Sequence, residues 1–333
     1  MLTEPKEHTD EALFQSDLNH FTVFSAMGAD AITFLQSQIT QDISLVSENR
    51  AALAAYCSPK GRVLGSFLAW KVPSANNEPC FHFLLRSDIA EPILKRLRMY
   101  VLRAKVKLEP EPLQIKGIWS KASMAQVNEK LGVDLEHSPT WSVLSAGGCT
   151  FIRMPDAADN KRFLCFYPTQ ENTPPCFCSL LSHQEAGDWD ALDILSGIPW
   201  AEKSNQELFI PQSINFDVID GISFTKGCYP GQEVVARSHY RGTLKRRMAI
   251  GVINDTSTPE DWQAGKDVFD AQETNEPCGI IVNSALSNNK AYILFETKLA
   301  ALDHDRLCVG SPEGARIELI PVPYSLEKPE IGK

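Results

Sequence analysis

KGCYPGQEVVAR, residues 226–237, is the stretch on which the reading of this chain turns. Pro230 presets φ at the second position of a β-turn, and Gly231 accepts the positive φ that a type II turn requires at the third. QEVVARSHYRG then reads as a short helix closed by Gly242. Cys228 is therefore expected on a tight bend just ahead of a helix N-terminus, with Lys226 nearby. A helix dipole and a cation both favour thiolate over thiol. Gly227 removes a side chain that would crowd an approaching ligand. Each residue also has a plainer reading. A cysteine between glycines can simply fill a tight corner. Glu233 suits a helix N-terminus, and Lys226 and Arg237 can be surface cations. Tyr229 and Trp200 can be core aromatics.

The surrounding chain sets limits. Its 333 residues allow two or three cores, and 43% hydrophobic with 22% charged residues is ordinary for a globular protein. No apolar run approaches the roughly 18 to 20 residues that span a bilayer. The opening MLTEPKEHTDEALFQSDLNH is polar and acidic, unlike a signal peptide, and reads as a loosely ordered lead-in to a cytoplasmic protein. The nine cysteines are scattered, odd in number and expected to be reduced. Cys176-Phe177-Cys178 is half of a metal pattern with no second pair to complete it, so no metal is expected. HExxH, P-loop and GxGxxG patterns are missing.

A net charge of -10 argues against a chain that coats nucleic acid. Residues 234–254 nevertheless hold no acidic residue, while Arg237, Arg241, Lys245, Arg246 and Arg247 fall among them. This is either a solvated face or a landing place for carboxylates or phosphates. No aromatic–basic interleaving is evident there, so direct RNA binding is the weakest reading.

Periodicity orders the rest. NHFTVFSA reads as a strand and GADAITFLQSQI as a helix with Ile32, Leu35 and Ile39 inward. AALAAYCSPKGRVLGSFLAWKV reads as a hairpin turning at Ser58–Gly61, and CFHFLLR as the next strand. SDIAEPILKRLRMY is a helix capped by Asp88 with Ile89, Ile93 and Leu97 inward. RAKVKLEPE and QIKGIWS are strands, and KASMAQVNEKLG is a helix closed by Gly132. Strands near 141–153 and 162–167 flank MPDAADNK as a loop, and WDALDILSGIP is a helix stopped by Gly197 and Pro199. From Lys245 onward RRMAIGVIN, CGIIVNSALS, KAYILFET and RIELIPVPY are strands spaced as in a small β-barrel.

These blocks resemble the YgfZ-type folate-binding proteins, relatives of the glycine-cleavage T-protein, an aminomethyltransferase. The signature K-G-C-Y-x-G-Q-E is matched by Lys226, Gly227, Cys228, Tyr229, Gly231, Gln232 and Glu233. FLQSQITQDI, AAYCSPKGRVLGSF, LDILSGIP, FIPQSINFDVIDGISF and VARSHYRGTLKR are similar to the family's wording, in its order, over residues 31–247. The resemblance implies an α+β, T-protein-like architecture of two α+β (ferredoxin-like) lobes plus a C-terminal antiparallel β-barrel. Residues 1–240 would form the folate-binding portion, with one lobe around 51–112. Residues 241–325 would form the barrel and 326–333 a mobile tail.

The family also implies a role. It would be a folate-binding accessory protein for assembly or repair of iron–sulfur clusters in client proteins, including tRNA-modifying enzymes. Tetrahydrofolate would be the cofactor, and client or assembly proteins the partners. Cys228 and Lys226 would do the chemistry. Tyr229, Gln232, Glu233, Arg237 and Trp200 would hold folate, on the turn made by Gly227, Pro230 and Gly231. The alternative is a tetrahydrofolate-dependent one-carbon transferase or demethylase. Two departures weigh on it. T-proteins carry an acidic pair where this chain reads Val63-Leu64-Gly65-Ser66-Phe67, and a hydroxyl holds no charge against a cationic amine. Leu195 stands where relatives have a glutamate two residues before the glycine.

Overall fold

The computed structural model describes residues 13–326, apart from 75, 170–174, 242–243, 274–275 and 304–305. Residues 1–12 of the expected lead-in, the stop at Gly242 and nearly all of the expected tail lie outside the described residues; the rest of that lead-in is corrected to ordered chain, since Leu13–Asp17 is a strand in a sheet.

Two sheets share the first part of the chain, one antiparallel and one antiparallel except for a parallel pair at its edge. β1 (Leu13–Asp17) leads into β2 (Phe21–Met27), α1 (Ala31–Gln36), β3 (Ala52–Cys57), β4 (Val63–Val72), β5 (Cys80–Arg86), α2 (Ser87–Met99) and β6 (Lys107–Glu111). β2 to β6 form one sheet in the order β3-β4-β5-β2-β6. The lobe expected around 51–112 thus also takes in β2. Its strands are rich in aromatic and β-branched residues, and the rings of Phe24, Phe67 and Phe83 meet in its core. α2 packs on that sheet through Ile89, Ile93 and Leu97, as its spacing predicts. Asp88 does not cap it; its carboxylate accepts the Lys203 N–H at 2.8 Å. α1 is also shorter than expected. Ala31, Phe34 and Leu35 face inward and Ile32 is 40% exposed, while Ile39 lies past the helix end, bridged to Tyr56.

β7 (Leu113–Ser120), α3 (Ala125–Leu131), β8 (Val143–Ala146), β9 (Cys149–Ala157), β10 (Asn160–Pro168) and β11 (Ser182–His183) follow. With β1 they make the second sheet, β11-β1-β7-β10-β9-β8. The loop expected at 154–161 is only a two-residue turn. Ala158 and Asp159 both take positive φ (46° and 64°), the conformation that matches the strand twist, so β9 and β10 extend into it. α4 (Ala186–Leu195) covers this sheet and stops at Gly197, where φ is +69°. Beneath α4, Arg162 is fully buried, ion-paired to Asp193 and 4.4 Å under the Trp189 ring.

After α5 (Gln232–Arg241) come β12 (Arg246–Ile253), β13 (Asp267–Asp270), β14 (Gly279–Ser287), β15 (Lys290–Lys298), the single turn α6 (Leu299–Leu302), β16 (Leu307–Val309) and β17 (Glu318–Ile320). They form a six-stranded antiparallel sheet, β16-β13-β14-β15-β12-β17. The expected closed barrel is corrected here to an open, curled sheet. β16 and β17 share no ladder; β16 reaches only residues 315–317, through bonds such as Ile317 N–H to Leu307 O at 2.9 Å. The strands at this edge are three residues long, too short to complete a closing pair.

The cationic run at 234–254 is dispersed by the fold. Arg247 is buried and donates to both carboxylate oxygens of Asp217 at 2.5 and 3.0 Å. Arg246 pairs with Glu296 at 2.6 Å. Two of the five cations of the suspected anion site are therefore committed to ion pairs within the fold. Arg247→Met is expected to lower the unfolding free energy by about 3–5 kcal/mol, because Asp217 is left as a buried unpaired charge. Arg247→Met with Asp217→Leu should recover part of that loss, measured by urea denaturation.

Candidate functional site

The site is built from two turns that lock together. In the β3–β4 hairpin, the Gly61 N–H donates to Ser58 O at 2.8 Å and Gly61 has φ +70°. In the signature loop, the Gln232 N–H donates to Tyr229 O at 3.1 Å and Gly231 has φ +81°, as a type II turn requires. A Cβ on Gly231 would sit 2.4 Å from Ser58 O and 2.7 Å from Gly61 N. A Cβ on Gly61 would lie 2.9 Å from Val234 Cβ. Each turn needs the other's glycine. The two sequence blocks, residues apart by more than half the chain's length, form one surface.

Lys226 anchors the start of the loop. Its Nζ donates to the carbonyls of Gln36, Ile39 and Gln41 at 2.7, 2.6 and 3.1 Å, where α1 ends and leaves acceptors unmatched. It also stands 5.2 Å from the centroid of the buried Tyr229 ring. Burial pushes the amine down to about 8, with Asp42 pulling the other way. All three ammonium hydrogens are used on backbone oxygens. Thr40 adds a second stitch: its Oγ1 accepts the Ala55 N–H at 2.8 Å and donates to Gly221 O at 2.6 Å.

Between these anchors Cys228 is exposed. A Cβ on Gly227 would meet open space, so nothing stands over the neighbouring backbone. Of the other cysteines, only Cys176 is exposed. Burial raises the thiol pKa of Cys57 to about 12 and those of Cys80 and Cys178 to about 11, which leaves them inert as nucleophiles. Among the described residues no three His, Cys, Asp or Glu side chains gather as a metal site.

The remaining expected residues scatter. Glu233 and Arg237 are exposed one turn apart on α5, and Gln232 is half-buried. Trp200 is elsewhere, in the core against Phe21, with its Nε1–H on the buried Asp193 carboxylate at 2.9 Å. It lines only a crevice of about 10 Å³, room for a water and not for a pterin. Ser66 is buried and its hydroxyl oxygen accepts the Ala201 N–H at 2.7 Å. Leu195 lines a separate cleft of about 430 Å³ with Trp119 and Tyr292.

A cleft of about 420 Å³ opens where the chain enters the signature loop, lined by Gln41, Arg50, Leu53, Trp141, Phe224 and Thr225 among others. Arg50 is exposed, and Trp141 is held at φ +69°, a conformation a tryptophan rarely adopts. The Phe224 ring stacks on His239 of α5 at 3.7 Å, tying the cleft wall to the helix. Sequence reading passed over Arg50, Trp141 and Phe224. Only Phe224 lay in a block that had been singled out, and none shows its position without the fold.

No family model matches the chain. Its sequence is 28% identical over 326 residues to the tRNA-modifying protein YgfZ of Yersinia pestis, covering 93% of this chain and 92% of that one. It is likewise 28% identical over 320 residues to the YgfZ of Escherichia coli, covering 93% of each. The chain resembles YgfZ along nearly its whole length. Its fold matches the glycine cleavage aminomethyltransferase T of Bartonella henselae with a TM-score of 0.67, at 11% identity, over 94% of this chain and 86% of that one. The expected kinship in sequence and the T-protein-like α+β fold both stand.

Two measurements check the site. Brief alkylation of the native protein should label Cys228 and Cys176 and spare the seven buried thiols, read by peptide mass spectrometry. Lys226→Met should lower stability by about 2–4 kcal/mol, since three carbonyls lose their donor and one lost partner costs about 1–3. It should also raise proteolysis within 36–41 and 226–231.

Proposed function

We propose that this chain is a folate-binding accessory protein that maintains iron–sulfur clusters for tRNA-modifying enzymes, with Cys228 as its working thiol. The observation that carries this reading is the exposure of Cys228 on a loop anchored on both sides. A corner-filling cysteine would be enclosed. This one faces solvent while Lys226, Tyr229 and Gly231 around it are committed to the fold. An exposed sulfur in that position can ligate iron, or can attack the outer sulfur of a partner's persulfide, so that a new S–S bond forms as the old one breaks and the partner's thiolate leaves. The role in tRNA modification is supported by the YgfZ relatives, which are tRNA-modifying proteins.

Folate is supported by the fold shared with an aminomethyltransferase and by the chemistry of the 420 Å³ cleft. Trp141 and Phe224 offer ring faces to a pterin, Gln41 offers an amide, and Arg50 offers a cation to a glutamate tail. Arg237 is a second exposed cation for that tail, one helix away. Bound tetrahydrofolate would supply a reduced pterin able to carry a one-carbon unit. Aminomethyl transfer is not part of this reading, because the Ser66 hydroxyl is buried and bonded to Ala201.

In a strain lacking the gene, Cys228→Ala is expected to restore neither tRNA modification, read by nucleoside mass spectrometry, nor iron–sulfur enzyme activity, with an unchanged melting temperature. Arg50→Ala should weaken tetrahydrofolate binding about tenfold, a loss of about 1.4 kcal/mol. Full complementation by Cys228→Ala would return the cysteine to a corner-filling role. T-protein-like turnover on an aminomethylated carrier would favour the transferase instead.

A further inference from the structure

Residues 95–107, KRLRMYVLRAKVK, hold six cations and no carboxylate in a chain of net charge -10. They form the end of α2 and the turn into β6. The inward positions Ile93, Leu94 and Leu97 are taken by the core and Arg96 turns half-buried toward Tyr56, so the other five charges face out. Lys95, Arg98, Arg103 and Lys105 are exposed, and among the described residues none of their side-chain nitrogens is ion-paired, although the Lys105 backbone N–H donates to the Asp30 carboxylate at 2.7 Å. Lys107 is only loosely matched by Glu109 at 3.7 Å, both well exposed. Arg98 is held in one orientation, its Nε and Nη2 both donating to Leu108 O at 3.0 and 2.5 Å.

Apolar side chains project between these cations. Met99 is 63% exposed, Tyr100 45% and Leu102 87%. Leu102 has φ +44°, a left-handed conformation that costs a leucine free energy and here carries its side chain into water. The conformation serves a turn closed by the Ala104 N–H on Val101 O at 2.8 Å, but the leucine side chain itself is left uncovered. Both features point to a partner that is anionic and also presents apolar faces.

We propose that residues 95–107 form a binding surface for RNA with unpaired bases. Phosphates would lie on Lys95, Arg98, Arg103 and Lys105, and loop bases against Tyr100 and Leu102. A regular duplex would use the cations and leave the apolar side chains idle, whereas unpaired bases present π-faces to both. An anionic membrane suits the surface less. The cations interleave with the apolar residues, so no contiguous apolar face can be immersed without charge. With its Nε and one Nη2 hydrogen held by Leu108 O, the guanidinium of Arg98 keeps the Nη1–Nη2 edge for the two parallel N–H bonds a phosphate accepts. The choice of RNA rests on the tRNA side of the function above, and not on Cys228 or folate. The expectation against direct RNA binding concerns the run at 234–254; the surface proposed here lies outside it.

The test uses the full chain and three probes: unfractionated tRNA, a blunt RNA duplex of similar charge, and phosphatidylserine vesicles. Saturable tRNA binding is expected, tighter than duplex binding. With four phosphate contacts, the affinity should fall with a log–log salt slope of about -3. The triple variant Lys95→Glu, Arg103→Glu, Lys105→Glu should weaken tRNA binding at least tenfold, while Lys245→Glu on the other cationic run should not. Tyr100→Ala should erode the preference for tRNA over duplex. Leu102→Gly should weaken tRNA binding with no fall in melting temperature, because glycine tolerates the positive φ. The proposal is overturned if tRNA does not bind saturably, if the triple variant binds as well as the native chain, or if vesicles bind and tRNA does not. Binding is read without folate or thiol chemistry, so its failure leaves the Cys228 reading standing, and the reverse also holds.

Discussion

A buried stretch without regular structure must find a partner for its polar backbone groups, and residues 198–226 are such a stretch. Among them only Pro211–Ile214 makes a short 3-10 turn, yet most of the segment is buried. Side-chain amides supply the missing ladder. Asn205 donates to Trp200 O and Val282 O, Gln206 to Leu64 O, Gln212 to Val235 O and Asn215 to Met248 O. Asn283 exchanges two bonds with Trp200. Each bond contributes about 1 kcal/mol net, but leaving one group unmatched in the interior costs more. Through them one segment is fastened to β4, α5, β12 and β14.

That fastening makes the signature loop rigid without any contact of its own to the exposed thiol. The segment delivers Lys226 to the carbonyls at the end of α1, and the Gly61–Gly231 contact closes the loop from the other side. Residues that look reactive in a motif divide into two kinds here. Lys226, Tyr229 and Gly231 are spent on position, while Cys228, Glu233 and Arg237 remain free to meet another molecule.

Charge shows the same division. Residues 95–107 and 234–254 are both rich in cations and free of acidic residues. In the second, Arg246 and Arg247 turn to Glu296 and Asp217. In the first, the helix face that could have turned inward is occupied by Ile93 and Leu97, so the cations stay in water. Buried pairs such as Arg247–Asp217 and Arg162–Asp193 are matched because an isolated ion could not be desolvated.

By itself the sequence determined what local physics decides. Alternating and 3.6-residue patterns placed β2, β5, α2 and α4, and Gly61, Gly132, Gly197 and Gly231 marked turns that need positive φ. The order of its blocks carried its resemblance to YgfZ. The tertiary structure alone decided matters that depend on distant neighbours. It opened the expected barrel because the edge strands are too short to pair, and it buried Trp200 against Asp193. It joined Ser58–Gly61 to Tyr229–Gln232, and gathered Arg50, Trp141 and Phe224 from three regions around one cleft. The reason is range. Turn chemistry and periodicity act over a few residues, whereas burial, ion pairing and the shape of a cleft are set by whichever segments the packed core brings into contact.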